Sequence, residues 1–173
     1  EVKVWDPQSL RKAKQEELDR FRRMQVYEVV RREELSNYYQ PVVVGVRWVL
    51  TEKTSGLKAR LVAQELASNK IDKDSLFAGT PGLPIIKCLI SRVASGQAKG
   101  YRLMSADVKT AFLYGPVKRD IFIELPPEDP NSKTGNFIGK LRKSMYGTRD
   151  APQVWQEYLA QVFGELGFRE CIT

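Results

Sequence analysis

The sequence predicts an α+β fold of interspersed helices and hairpin-like strand pairs, not a doubly wound parallel sheet. Three observations predict it. Apolar residues recur at helical spacing in three separate stretches, short β-branched or apolar runs lie between them, and neighbouring runs are joined by turns rather than by regular crossover helices.

In chain order, Asp6-Pro7 reads as a helix start, and Leu10, Ala13, Leu18, Phe21 and Met24 then mark one face of a helix over about 7–25. Val26, Val29 and Val30 around Tyr27 form a short β-like run, and Ser36 to Pro41 reads as a loop. The β-branched stretch Val42–Thr51, the turn Ser55-Gly56 and the alternating stretch Leu57–Leu66 predict a β-hairpin over 42–66, with Lys58 and Arg60 projecting from one face. Thr80 to Pro84 is a breaker, after which Ile85, Leu89, Ile90 and Val93 give a second helix ending at Gly96. Tyr101–Ala106 is a strand candidate running into Asp107, Ile121–Leu125 a strand closed by Pro126-Pro127, Glu128–Gly135 a loop and Phe137–Leu141 a short strand. Ser144–Asp150 reads as a turn and Val154–Phe163 as a third helix, with Gly167 near its end.

The 173 residues amount to one domain or a piece of one, and 42% hydrophobic content with 28% charged residues points to a globular, soluble chain. There is no histidine, which excludes Ser-His-Asp and Cys-His catalysis and every His-containing zinc site. Cys88 and Cys171 form no CxxC and read as core residues in a reducing compartment. Apolar runs such as Val42–Val46 fall well short of the ~18 residues a bilayer requires, and no signal segment opens the chain, so the expectation is an intracellular, non-secreted protein without a membrane partner. The lack of an initiator Met and an end soon after a helical pattern suggest an excerpt from a longer polypeptide.

The net charge of +7 is unevenly placed. Residues 41–100 hold nine Lys and Arg against four acids, whereas residues 1–40 balance nine against eight. A basic middle segment is the expected contact surface for a polyanion, although the same excess also serves solubility.

A phosphate-binding P-loop is excluded: Gly135-Asn136-Phe137-Ile138-Gly139-Lys140-Leu141 has three residues between its glycines where four are needed, and Leu141 where Ser or Thr would meet the metal. The informative stretch is Ser105 to Gly115. A carboxylate at the end of an apolar strand must be solvated, paired or bound to a cation, so Asp107 reads either as a ligand for a hard divalent ion or as a helix N-cap.

The string Asp107-Val108-Lys109-Thr110-Ala111-Phe112-Leu113-Tyr114-Gly115 resembles the segment that carries the first catalytic aspartate of copia-type retrotransposon reverse transcriptases. Lys58 to Ala63 upstream, and Lys143-Ser144-Met145-Tyr146-Gly147-Thr148-Arg149-Asp150-Ala151-Pro152 with Trp155 downstream, match further motifs of that family in the right order. The resemblance covers roughly residues 5–170.

It implies an incomplete fingers-and-palm portion of a right-hand polymerase: an N-terminal helix and fingers over about 1–100, and the first part of the palm over about 101–173. By the same resemblance Asp107 is the catalytic, metal-binding carboxylate for Mg²⁺ or Mn²⁺. Phe112 is the residue beneath the incoming sugar, or else a core aromatic, and Lys58 and Arg60 reach the triphosphate or template backbone, or else are solvated hairpin charges. Tyr146 and Gly147 form the turn lining the nucleotide pocket, while Ala151, Pro152 and Trp155 pack. The implied partners are an RNA template and DNA primer, deoxynucleoside triphosphates and the rest of a Pol polyprotein (remaining palm, thumb and ribonuclease H), acting in the cytoplasm within a virus-like particle or in the nucleus. The chemistry implied for the parent protein is two-metal phosphoryl transfer to a primer 3′-hydroxyl.

There are departures. The family's downstream Tyr-x-Asp-Asp acids are not in this sequence, so the chain alone is expected to be inactive. Phe21 to Tyr27 replaces the more usual Asn-x-Thr-Trp pattern, and Thr148-Arg149-Asp150 replaces a commoner Leu-Lys-Gln. The alternative reading is a non-catalytic nucleic-acid-binding or defunct remnant of such an element.

Overall fold

A computed structural model describes residues 4–54, 56–66, 78–96, 99–100 and 102–168. Helix α1 (Pro7–Arg23) begins where Asp6 accepts a hydrogen bond from the Ser9 amide at 2.7 Å and Pro7 supplies the first helical turn. It ends beneath three arginines, and Gln25, at φ 53, turns the chain into β1 (Tyr27–Arg31). The buried face of α1 is Ala13, Glu17, Leu18 and Phe21; full burial of an apolar side chain such as Leu18 or Phe21 contributes about 1.5–3 kcal/mol.

Two sheets follow. In the four-stranded sheet the order is β1, β6 (Phe137–Leu141), β5 (Ile121–Ile123), β2 (Val42–Val44), with β2 parallel to β5 and the other pairs antiparallel. Strands β3 (Val46–Lys53) and β4 (Gly56–Ala63) form a separate antiparallel hairpin. The expected 42–66 hairpin is therefore shorter than the sequence suggested, because the chain changes sheets at Gly45. The Val44 carbonyl accepts from the Glu124 amide at 2.9 Å and the Gly45 carbonyl accepts from the Gln64 amide at 2.8 Å, so adjacent residues bond to different sheets. Ser55, in the expected turn, lies outside the described residues.

The core lies where α1, β4 and the four-stranded sheet meet, with Leu18, Phe21, Val26, Leu61, Ile121 and Met145 among its fully buried members. Glu128 ties the hairpin to α1 by accepting from Lys14 Nζ at 2.6 Å and Trp48 Nε1 at 2.9 Å. Helix α3 (Ala151–Glu165) packs Val154 inward and begins three residues before the expected Val154. Short 3-10 turns at Arg32–Asn37 and Pro130–Thr134 occupy parts of the chain read as β-run border or loop; the second is started by Pro130 and by Asp129, which accepts from the Asn131 amide at 3.0 Å.

Three expectations need correction. Arg102–Ala106 forms no strand: it is exposed without regular structure, Met104 at 85%, because no described strand offers a ladder partner to satisfy its backbone groups. Tyr101 lies outside the described residues. Helix α2 (Leu83–Ala94) forms as expected, but Leu83, Ile85, Ile86, Leu89 and Ile90 are exposed, and Cys88 is exposed with them instead of packing in a core. Cys171, Lys70 and Lys73 lie outside the described residues. Pro152, expected to pack, is exposed in the first turn of α3, where its missing amide hydrogen goes unneeded. No described helix is long and apolar enough to cross a membrane.

Candidate functional site

Strand β4 sends alternate side chains to opposite faces. Ala59, Leu61 and Ala63 are buried, with Leu61 and Ala63 in the core beside Leu18 and Phe21 of α1, which leaves Lys58, Arg60 and Val62 on the other face. From outside the hairpin, the Tyr146 carbonyl accepts from the Ala63 amide at 2.8 Å, and the buried Glu17 carboxylate lies against the β4 backbone at Leu61. Burial pushes the Glu17 carboxyl above the usual carboxylate range, against the pull of Arg20, Lys58 and Arg60. An open cavity of about 370 Å³ lies beside it, lined by Glu16, Glu17, Arg20, Lys53, Lys58 and Lys109 among others. Burial, then the charges of Arg60, Lys53 and Arg20, hold the Lys58 ammonium below its ordinary value. Lys58 and Arg60 are half-buried, and Arg20, Lys53 and Lys109 line the cavity with Lys58.

The turn after β6 meets β4. Gly147 has φ +89, and a Cβ there would stand 1.9 Å from the Ala63 carbonyl oxygen and 2.7 Å from Val62 Cγ1. Only glycine fits so close an approach in that conformation. Tyr146 is thereby set against Arg60, whose guanidinium carbon lies 5.9 Å from the ring centroid, and against Phe112, whose ring meets it edge-on at 5.0 Å. Phe112 sits in a 3-10 turn (Ala111–Tyr114) entered through Thr110 at φ 57 and anchored by buried Leu113. Burial raises the Tyr146 phenol, and the charges of Glu17 and Asp107 add to the rise while Arg60 and Arg20 oppose it.

Arg60, Tyr146, Gly147 and Phe112 therefore form one cluster, with Lys58 two residues along the same strand. Asp107 stands in solvent at its margin, within electrostatic reach of Tyr146 but making no hydrogen bond or ion pair among the described residues. It does not cap the following turn; Thr110 holds that position. Phe112 is half-buried, which suits both a packing role and an exposed aromatic edge.

Sequence reasoning missed two features. Glu17 lies four residues from both Ala13 and Phe21 on the apolar stripe of α1, a spacing that marks it as buried. The second is an ion cluster behind the turn. Arg119 donates Nη1 and Nη2 to the two carboxylate oxygens of Glu65, both at 2.7 Å, and Nε and Nη2 to those of Asp150 at 2.9 and 3.0 Å. Glu65 also accepts from the Arg149 amide at 2.8 Å. The partners of Arg119 lie 54 and 31 positions away, so no local pattern announces them.

Asp107 is a single carboxylate, and among the described residues no group of three or more His, Cys, Asp or Glu is placed to hold a metal ion. Two-ion phosphoryl transfer needs several carboxylates around ions roughly 4 Å apart, so these residues do not by themselves make such a centre.

Residues 24–173 match the family model described as reverse transcriptase (RNA-dependent DNA polymerase). Among curated proteins the chain is similar to the retrovirus-related Pol polyprotein from transposon TNT 1-94 of Nicotiana tabacum, with 33% identity over 153 residues, 84% of this chain and 11% of that one. It is also similar to the Pol polyproteins from transposons RE1 and RE2 of Arabidopsis thaliana, with 30% and 27% identity over 135 residues, 76% of this chain and 9% of each of those. The chain thus spans about a tenth of the length of these relatives. No solved structure matches.

Proposed function

Because the chain belongs to the reverse transcriptase (RNA-dependent DNA polymerase) family, in the region found in copia-type Pol polyproteins, we propose that it is the nucleotide- and template-facing part of an RNA-directed DNA polymerase. In this reading about 1–100 serve as N-terminal helix and fingers and about 101–173 as the start of the palm. The remaining Pol segments are its covalent partners, and it works inside the cell. The observation that carries the proposal is the Arg60–Tyr146–Phe112 cluster, seated on the Gly147 turn beside Lys58.

The chemistry of these side chains suits a deoxynucleoside triphosphate on a template–primer. Lys58 and Arg60 supply positive charge for phosphate oxygens, the arginine in a planar fork that phosphate can take bidentately. Phe112 and Tyr146 offer aromatic surface to the sugar and base. Asp107, with no hydrogen-bond or ion-pair partner among the described residues, contributes one acid; the other carboxylates that divalent-ion catalysis needs would come from outside the described residues. The chain's own work is binding and orientation.

That no group of three or more His, Cys, Asp or Glu among the described residues is placed to hold a metal ion favours one alternative, a hybrid-binding remnant without chemistry. Titration of the chain with dATP, followed through the ring signals of Tyr146 and Phe112, separates the two. Shifts that vanish on replacing Lys58 and Arg60 by Ala support the nucleotide site. Hybrid binding with no response to dATP supports the remnant.

A further inference from the structure

The Arg119 cluster contains none of Lys58, Arg60, Phe112, Tyr146 or Gly147, yet it joins the two pieces of backbone that carry Lys58, Arg60, Tyr146 and Gly147. Glu65 follows Ala63 by two residues, and Ala63 is the β4 residue whose amide bonds to the Tyr146 carbonyl. Asp150 follows Gly147 by three. One guanidinium therefore grips both the end of the strand bearing Lys58 and Arg60 and the end of the turn bearing Tyr146 and Gly147, each through a two-point fork.

The cluster is built at some cost. The Glu65 side chain is 0% exposed and that of Asp150 only 11%, and Arg119 supplies a cationic partner to both of these desolvated acids. Asp150 stands at the N-cap of α3 but makes no capping hydrogen bond, because its carboxylate is committed to Arg119. The Arg149 amide is held by Glu65 as well. Burial alone would make the guanidinium easier to deprotonate, but its hydrogen bonds to both acids, with their charges, keep it charged more firmly than usual. Asp150 also belongs to the Thr148-Arg149-Asp150 string that departs from the commoner family pattern, and this pairing gives that acid a partner.

We propose that Arg119 is a positioning residue: by clamping Glu65 to Asp150 it holds the Tyr146-Gly147 turn against β4 and so sets the spacing of Arg60, Lys58 and Tyr146 in the nucleotide pocket. The proposal rests on the nucleotide-site reading above. Lysine cannot reproduce two forks, because its ammonium is a point charge. Arg119→Lys keeps the charge and loses the geometry, while Asp150→Asn is milder and leaves Glu65 paired.

The test uses the 173-residue chain with two readouts: hydrogen exchange of the Ala63 amide, and dATP affinity from the Tyr146 ring signals. Lys118→Ala is the control, since it breaks the Lys118–Glu157 ion pair between the same loop and α3 without touching β4. Arg119→Lys is expected to speed Ala63 exchange relative to β1 amides and weaken dATP binding roughly tenfold, below the ~100-fold that a 1 Å misplacement can cost in catalysis. Asp150→Asn should do both in smaller measure, and Lys118→Ala neither. In an Arg60→Ala background the effect of Arg119→Lys on dATP should shrink, as expected for a residue acting through Arg60. Faster Ala63 exchange with unchanged dATP affinity, or equal effects from Lys118→Ala, would overturn the role alone. If the unsubstituted chain ignores dATP, the pocket reading fails and takes this role with it, and the Ala63 exchange rate still reports whether the clamp exists.

Discussion

The guanidinium of Arg60 lies over the ring of Tyr146, 5.9 Å from its centroid, although 86 residues of sequence separate them. The pair joins the hairpin to the turn after β6, and the ring's far neighbour is Phe112. A cation over an aromatic face contributes about 0.5–1 kcal/mol at an exposed site and more when desolvated. Its larger effect here is to hold a charge and an aromatic surface side by side.

If Lys58 and Arg60 engage phosphate, the affinity of the chain for an RNA–DNA hybrid should fall steeply with salt as counterions are released. Replacing both by Ala should flatten the slope of log affinity against log salt by about one unit for each phosphate no longer neutralised. Fluorescence anisotropy over a salt series measures this, and an unchanged slope would mean that neither side chain touches the backbone.

Asp107 makes no internal ion pair or hydrogen bond among the described residues, so Asp107→Asn should leave the melting temperature and hybrid affinity of the chain nearly unchanged. In a polymerase-active polypeptide containing this region the same change should abolish RNA-templated primer extension, while the 173 residues alone should show none. Extension by the Asn variant at a rate near that of the unmutated polypeptide would remove Asp107 from the catalytic set.

Gly147→Ala should be among the most damaging single substitutions at the site. The new methyl would meet the Ala63 carbonyl at 1.9 Å in a left-handed conformation, and relief requires the turn to leave β4. Strain and overpacking together predict a loss of about 2–4 kcal/mol in urea unfolding. A loss under about 1 kcal/mol would show that the turn does not press on the strand.

Glu17 gives a pH signature. Its carboxyl is raised in the folded protein, so it contributes stability at acid pH that is lost as pH rises through its folded value. Glu128 behaves oppositely: burial would raise it, but hydrogen bonds from Lys14 and Trp48 leave it lowered, and its contribution is lost as pH falls. Glu17→Gln removes only the first effect. The stability of the variant relative to the unmutated chain should therefore increase over the pH range above the ordinary glutamate value, where a raised carboxyl loses its proton. A decrease over that range would mean that attraction to Arg20, Lys58 and Arg60 outweighs burial.

What the sequence made legible was whatever repeats locally. The stripe Ala13, Leu18, Phe21 placed α1, alternation from Leu57 onward placed β4 with Lys58 and Arg60 together, and the Tyr146-Gly147 turn lay where its motif put it. Long-range pairing was not legible. The parallel partnership of Val42–Val44 with Ile121–Ile123 cannot be read from either run alone, because both are short and apolar and would suit an antiparallel neighbour equally. Tyr101–Ala106 had a strand's composition, but composition does not supply a partner strand. The grip of Arg119 on two distant acids was invisible for the same reason, since charges separated in sequence show no period.

The break at Gly45 turns the hairpin into a lever. One residue separates a strand of the four-stranded sheet from a strand of the hairpin, and eight residues of β3 extend beyond it, roughly 25 Å at strand rise. A rotation of only about 5° at that joint would carry the far end through roughly 2 Å by simple geometry on that length. The bond from Ala63 to the Tyr146 carbonyl and the close approach of Gly147 both act near the fulcrum, where displacement is least. Arg47 therefore sits next to the pivot, Arg60 near the middle of the arm and Lys53 at its end, so bending of the hairpin would sweep the outermost charge through an arc while leaving the innermost one almost in place.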